Sequence, residues 1–178
     1  MSQVKITPAM EAQIAELLGR EPRGLEEVAV SDSRGQPMVI RVASLVGDKP
    51  FPTMFWLIDK DLCYRIDRVE AGGLIQRLQK RIDADPELLE SMAADHQAHI
   101  ALRNGYISLP LKAQLDSLGF YAVLQARGIG GIADFSRIRC LHTWYGAHLV
   151  MPNTIGGLLD AHWASSEDED TRKLTDAE

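Results

Sequence analysis

The chain has only two cysteines in 178 residues, and no apolar run approaches the ~18 residues that a bilayer span requires. A disulfide-stapled scaffold and a membrane-spanning protein are therefore not expected. The first ten residues, MSQVKITPAM, lack the apolar core of a secretory leader, so we expect reduced thiols and a cytoplasmic location. There is no excess of positive charge: Lys and Arg total 19 against 25 Asp and Glu, for a net charge of −6. Residues 164–178 hold six acids and two bases, which accounts for −4 and leaves the body at −2. Broad nucleic-acid binding needs a basic face, so nucleic acid is not expected as a partner. Signature motifs of catalysis are also missing. The sequence contains no P-loop, no dinucleotide-binding glycine fingerprint, no Gly-x-Ser-x-Gly elbow and no His-Glu-x-x-His zinc motif.

What is present suits one globular domain. A chain of 19.7 kDa buries enough surface to fold without a metal or a disulfide. We place that domain at residues 1–163 and expect an acidic, disordered tail over 164–178, where apolar residues are almost absent.

Thr7-Pro8 reads as a helix cap followed by proline at the first helical position, with Ile14, Leu17 and Leu18 on one stripe until Gly19. Alternation around Val28 and Val30 marks a strand, the segment 38–45 a second, and PTMFWLI (52–58) a third. The turns between them are SRGQ (33–36) and GDKP (47–50), which predicts an antiparallel meander. After Asp59 the apolar spacing becomes helical. Helices are expected to stop at Gly72-Gly73, to restart at Leu74, and to run from Asp85-Pro86 to about Tyr106. The stretch 110–127 reads as helical with a division at Gly119, Asp134 as the cap of a helix reaching about Met151, and a short last helix leads to Trp163. The expected class is α+β: a small three-stranded antiparallel sheet packed on a mainly helical C-terminal half.

Three features bear on chemistry. Leu89, Met92, His96, His99 and Arg103 fall within roughly 80° of one another on the long helix, so two imidazoles and a guanidinium face the core. Such groups need partners, and a buried guanidinium generally needs an anion, which admits either satisfied structural residues or a cleft. The second feature is Cys140-Leu-His142 with His148 beyond. In a regular helix Cys140 and His142 point about 160° apart, so no metal site holding both is expected, and Cys140 reads as a buried structural thiol. Cys63 likewise reads as core. The third is the loop GIGG (128–131), with Arg127, Arg137 and Arg139 close in sequence, a weak anion-binding pattern or a plain turn.

Several stretches, in order, resemble an uncharacterised bacterial family, domain of unknown function 501. They are LGREPRG (18–24), PFPTMFWL (50–57), Arg68-Val-Glu70 before glycine, and His96 seven residues ahead of Arg103. Gly130-Gly-Ile132 and Arg139-Cys-Leu-His142 complete the set. The family often has Tyr at the place of His99 and Lys at the place of Arg139, and its second histidine usually falls where Ala147 stands. The resemblance implies no activity, but it draws attention to Arg20, Arg23, His96, Arg103, Cys140 and His142.

Two function classes stay open in the sequence. One is a cleft for a small anionic, for example phosphorylated, ligand, with His96 or His142 as general acid or base and Arg103, Arg20, Arg23, His99 and Arg139 as binding groups. In that reading the row on the long helix meets His142 across a helix pair. The alternative is a non-catalytic interaction module whose buried polar cluster serves the fold. No cofactor is specified, and the sequence carries no sign of oligomeric state.

Overall fold

The computed structural model describes residues 6–175. Helix α1 (Pro8–Leu18) starts where the Thr7 hydroxyl accepts from the Met10 N–H at 3.3 Å, and it ends on Gly19, whose φ of +68° is left-handed. Strands β1 (Leu25–Ser31) and β2 (Pro37–Val42) pair antiparallel with Val28 opposite Ile40. The expected second strand stops at Val42. The chain instead forms a two-residue ribbon, β3 (Leu45–Val46) against β4 (Lys49–Pro50), across Gly47 and Asp48. Both turn residues have positive φ, 54° and 57°, the requirement of a tight hairpin turn. Strand β5 (Phe55–Leu57) is shorter than the apolar run around it and pairs with β2, Val39 opposite Leu57, giving the sheet order β1-β2-β5. The antiparallel meander holds, with β2 central and its Val39 and Ile40 buried.

Helices follow to the end. α2 (Lys60–Ala71) begins at Asp59, whose carboxylate accepts from the Leu62 N–H at 2.8 Å, and α3 (Leu74–Ala84) follows Gly73. α4 (Pro86–Tyr106) is capped by Asp85, as the Asp-Pro pair predicts. α5 (Leu109–Ser117) and α6 (Tyr121–Gln125) are separated at Gly119, which has a φ of +71°. A 3-10 turn covers Ile129–Gly131.

The helix expected from Asp134 is absent. Asp134 closes a local turn by accepting from the Ser136 N–H at 3.0 Å and its hydroxyl at 2.6 Å. Helix α7 (Leu141–His148) therefore starts six residues later, with Cys140 at its cap in extended conformation (φ −151°, ψ 123°). α8 (Thr154–Thr175) opens where Asn153 accepts from the Gly156 N–H, and it passes Trp163. The backbone is helical from 164 to 175, where the sequence reading places a disordered tail; 176–178 lie outside the described residues. No glycine or proline interrupts the sequence after Gly157, so nothing local stops the helix. No described helix is long and apolar enough to cross a membrane.

Helix α7 is central. Leu141 and Trp144 are fully buried, and Gly146 lets the helix close on β5: a Cβ there would lie 3.1 Å from the Leu57 backbone nitrogen. The main core gathers Ile66, Ile82, Met92, Leu141, Trp144 and Leu159 from five helices. Ile14, Ile40, Val42 and Ile58 form a second cluster under α1.

Candidate active site

The polar row on α4 faces inward as its spacing predicts: His96, His99 and Arg103 are exposed by 0%, 1% and 0%. Among the described residues Arg103 has no anionic hydrogen-bond partner. Its Nη1 donates to the Pro52 carbonyl at 3.0 Å, and its Nη2 donates to the carbonyls of Leu124 and, at 2.6 Å, Arg127. The guanidinium thereby ties the segment before β5 to the loop after α6, a structural role. Burial lowers it from the usual arginine range to about 10. His96 accepts the Ile129 N–H on Nδ1 at 3.0 Å and lies between Phe135 and Trp144, with ring centroids at 4.5 and 4.7 Å. An imidazole that accepts on one nitrogen is neutral, and burial holds His96 at about 4. His99 meets Phe55 edge-on and is held at about 3 by burial, then by Arg103 and His96. Among the described residues no hydrogen bond or ring contact joins this row to His142. The α4 row reaches α7 through Trp144, on the buried side of the helix.

His142 belongs to a different constellation, at the other end of the polar chemistry. Helix α2 carries Cys63, Asp67 and Glu70 at spacings of four and three, which puts all three on one face, turned toward the start of α7. The Glu70 carboxylate accepts the Leu141 N–H at 2.6 Å, so α2 supplies the side-chain cap that Cys140 does not give α7. His142 Nε2 lies 3.3 Å from the Cys63 carbonyl and 3.4 Å from Asp67 Oδ1. These acceptors favour a proton on Nε2 and leave the Nδ1 lone pair free to act. Nδ1 faces Cys140 Sγ at 3.6 Å and Glu70 Oε1 at 3.7 Å. The premise that Cys140 and His142 point apart fails, because Cys140 precedes the helix and its extended backbone swings the thiol toward the imidazole.

Burial opposes a charged Cys140, yet the hydrogen bond with His142 and the Thr143 amide bring its thiol below the ordinary range. His142 is raised, chiefly by the same contact with Cys140 and against its own burial. Cys63 behaves oppositely. Burial and the charges of Asp67 and Asp59 push its thiol up to about 11, and it donates to the Leu57 carbonyl at 3.7 Å.

Beside this pair lies an open pocket of about 280 Å³, lined by Thr53, Phe55, Trp56, Leu57, His142 and Thr143. The glycine-rich loop closes on it from behind: a Cβ on Gly130, φ +63°, would lie 2.6 Å from Thr143 Oγ1, and Gly131 abuts Pro52. Arg20 lies over the Trp56 ring, 4.7 Å from its centroid, and attaches positive charge to the pocket wall. Arg23 and Arg139 are exposed and take no part in the described pocket lining. Cys140 is partly accessible, unlike the buried thiol expected of it. His148 is engaged elsewhere, 3.1 Å from Asp160 and accepting the Asn153 N–H. The sequence reading assigns no role to Asp67 or to Glu70, although Glu70 lies in the Arg68-Val-Glu70 stretch. Their 63-67-70 spacing was visible, but nothing local says which helix start that face meets.

The family model described as "Protein of unknown function (DUF501)" matches residues 28–161, a span that includes every group of the α2–α7 constellation. No curated protein and no solved structure matches the chain.

Proposed function

The chain belongs to the DUF501 family of proteins of unknown function, and we propose that it is an enzyme using the Cys140 thiolate as nucleophile on a small anionic, acyl-bearing substrate. The observation that carries this reading is the Cys140–His142 contact at 3.6 Å, with the far nitrogen of the ring held by the Cys63 carbonyl and Asp67. A nucleophile, a base and a group orienting the base form the recurring arrangement of covalent catalysis. His142 Nδ1 takes the thiol proton, and the sulfur attacks the carbonyl carbon. The carbonyl π pair moves to oxygen and returns as the leaving group departs with the proton from His142. Water, deprotonated by the same imidazole, then releases the acyl group and restores the thiol. Phe55, Trp56 and Leu57 would seat the apolar body of the substrate, and Arg20 would receive its anionic end. A reducing bacterial cytoplasm would suit an enzyme that depends on a free thiol.

Site-resolved alkylation at pH 7 in the presence of a chelator tests this. Cys140 should react faster than Cys63 and faster than a cysteine peptide. His142→Asn should slow it about tenfold or more, as expected when a positioned base is lost. Iodoacetate should be favoured over iodoacetamide, and Arg20→Met should reduce that preference. Peptide-like reactivity at Cys140, or indifference to His142→Asn, would reject the reading.

A further inference from the structure

Glu70 is not needed to orient His142, because the Cys63 carbonyl and Asp67 hold Nε2 already. Its carboxylate instead stands on the Nδ1 side, next to the thiol. Ligand atoms of Glu70, Cys140 and His142 all lie within 4.8 Å of one another. The measured separations are 3.6 Å from sulfur to Nδ1 and 3.7 Å from Nδ1 to Oε1. Tetrahedral zinc has bonds of ~2.3 Å to sulfur and ~2.0–2.2 Å to nitrogen or oxygen, so its ligands stand about 3.3–3.6 Å apart. Both separations from Nδ1 are near that spacing, and the sulfur and the carboxylate lie within 4.8 Å of each other.

The outer contacts agree. A metal-bound imidazole characteristically donates its other N–H to a carbonyl or carboxylate, and His142 Nε2 has both within reach. A thiolate with an imidazole selects a zinc-class ion over magnesium or calcium, which prefer oxygen. Asp67 and Glu70 add two negative charges beside the site, which favours a cation.

We propose that Glu70, Cys140 and His142 form a binding site for one zinc-class divalent ion, with a fourth position left to water, and that occupancy silences the thiol. The ion would take the sulfur lone pair and the Nδ1 lone pair together, the two groups that the nucleophilic step uses. The regulatory half of this inference rests on the thiol reading; the binding half does not.

The test starts from protein stripped by a chelator and kept reduced. Zinc is titrated in competition with a chromophoric chelator, and cobalt is added separately to report thiolate coordination through its sulfur-to-metal absorption band. One equivalent should bind, with a cobalt–thiolate band. Glu70→Gln, whose amide oxygen can still accept from Leu141, should fold and bind about tenfold or more weakly, and Asp67→Asn about tenfold more weakly. One equivalent of zinc should slow Cys140 alkylation at least about tenfold, and chelator should restore it. Substoichiometric binding, a missing cobalt–thiolate band, or unchanged affinity in Glu70→Gln would overturn the site. Metal binding with an unreactive Cys140 in the stripped protein would retain the site and remove only its regulatory role.

Discussion

The Glu70 carboxylate accepts the Leu141 N–H at 2.6 Å, joining residues 71 apart in sequence. That bond seats the face of α2 on the first turn of α7. The same turn carries Cys140 at its cap and His142 in its first residues, so the cap of a helix and the assembly of the site are one event.

Replacing Glu70 separates the cap from the charge. Glu70→Ala leaves a partly buried helix N–H without its acceptor and should cost about 1–2 kcal/mol. Glu70→Gln keeps an acceptor and should cost well under half of that. Urea midpoints of the two variants at pH 7 measure the difference, and equal loss in both would show that charge, not capping, dominates.

Arg103→Met should be severely destabilising. It strands the carbonyls of Pro52 and Arg127, whereas the Leu124 carbonyl keeps the Arg127 N–H at 3.1 Å. Unsatisfied groups away from water cost about 1–3 kcal/mol each, so a total of at least ~2 kcal/mol is expected for the two. For a domain of this size that lowers Tm by roughly 4–8 °C. A variant that melts with the parent chain would show that these carbonyls find other donors.

Stability should fall with acid before the carboxylates titrate. His96 and His99 are held at about 4 and about 3 by burial, whereas an unfolded histidine titrates near ~6.5. Between those values the unfolded chain binds protons that the folded chain refuses. Stability is therefore complete above pH ~6.5 and is lost as pH falls toward 4, by up to ~1.4 kcal/mol per pH unit for each histidine. His99→Leu removes one such proton and two ring nitrogens that have no hydrogen-bond partner among the described residues. Its denaturation midpoint should match or exceed the parent's at pH 7 and decline less steeply below pH 6. An unchanged acid limb would contradict this.

Much of the architecture was readable locally. Thr7-Pro8 and Asp85-Pro86 mark the helix starts of α1 and α4, the Gly72-Gly73 pair and Gly119 mark breaks, and the period change at Asp59 marks the passage from sheet to helices. The inward row His96–His99–Arg103 follows from 3.6-residue spacing alone. Asp134 closes a turn instead of starting a helix, because an Asp side chain accepts from nearby backbone N–H groups in either setting. Because the helix begins six residues later, Cys140 lies at its cap rather than inside it, and its thiol faces His142.

Periodicity and caps are short-range effects, carried by bonds within about four residues, and a sequence displays them directly. The burial of α4's polar row and the class of the fold follow from such patterns. Which groups satisfy that row does not. Three backbone carbonyls, from the segment before β5, the end of α6 and the loop after it, take the donors of Arg103 in place of an anion, and backbone carbonyls have no signature in a sequence. The site at Cys140 depends on a thiol swung outward by one extended residue and on a carboxylate brought from 70 to 140 by packing. Such contacts arise from the summed burial of α2, α7 and β5 against one another, a long-range free energy that no single stretch of chain contains.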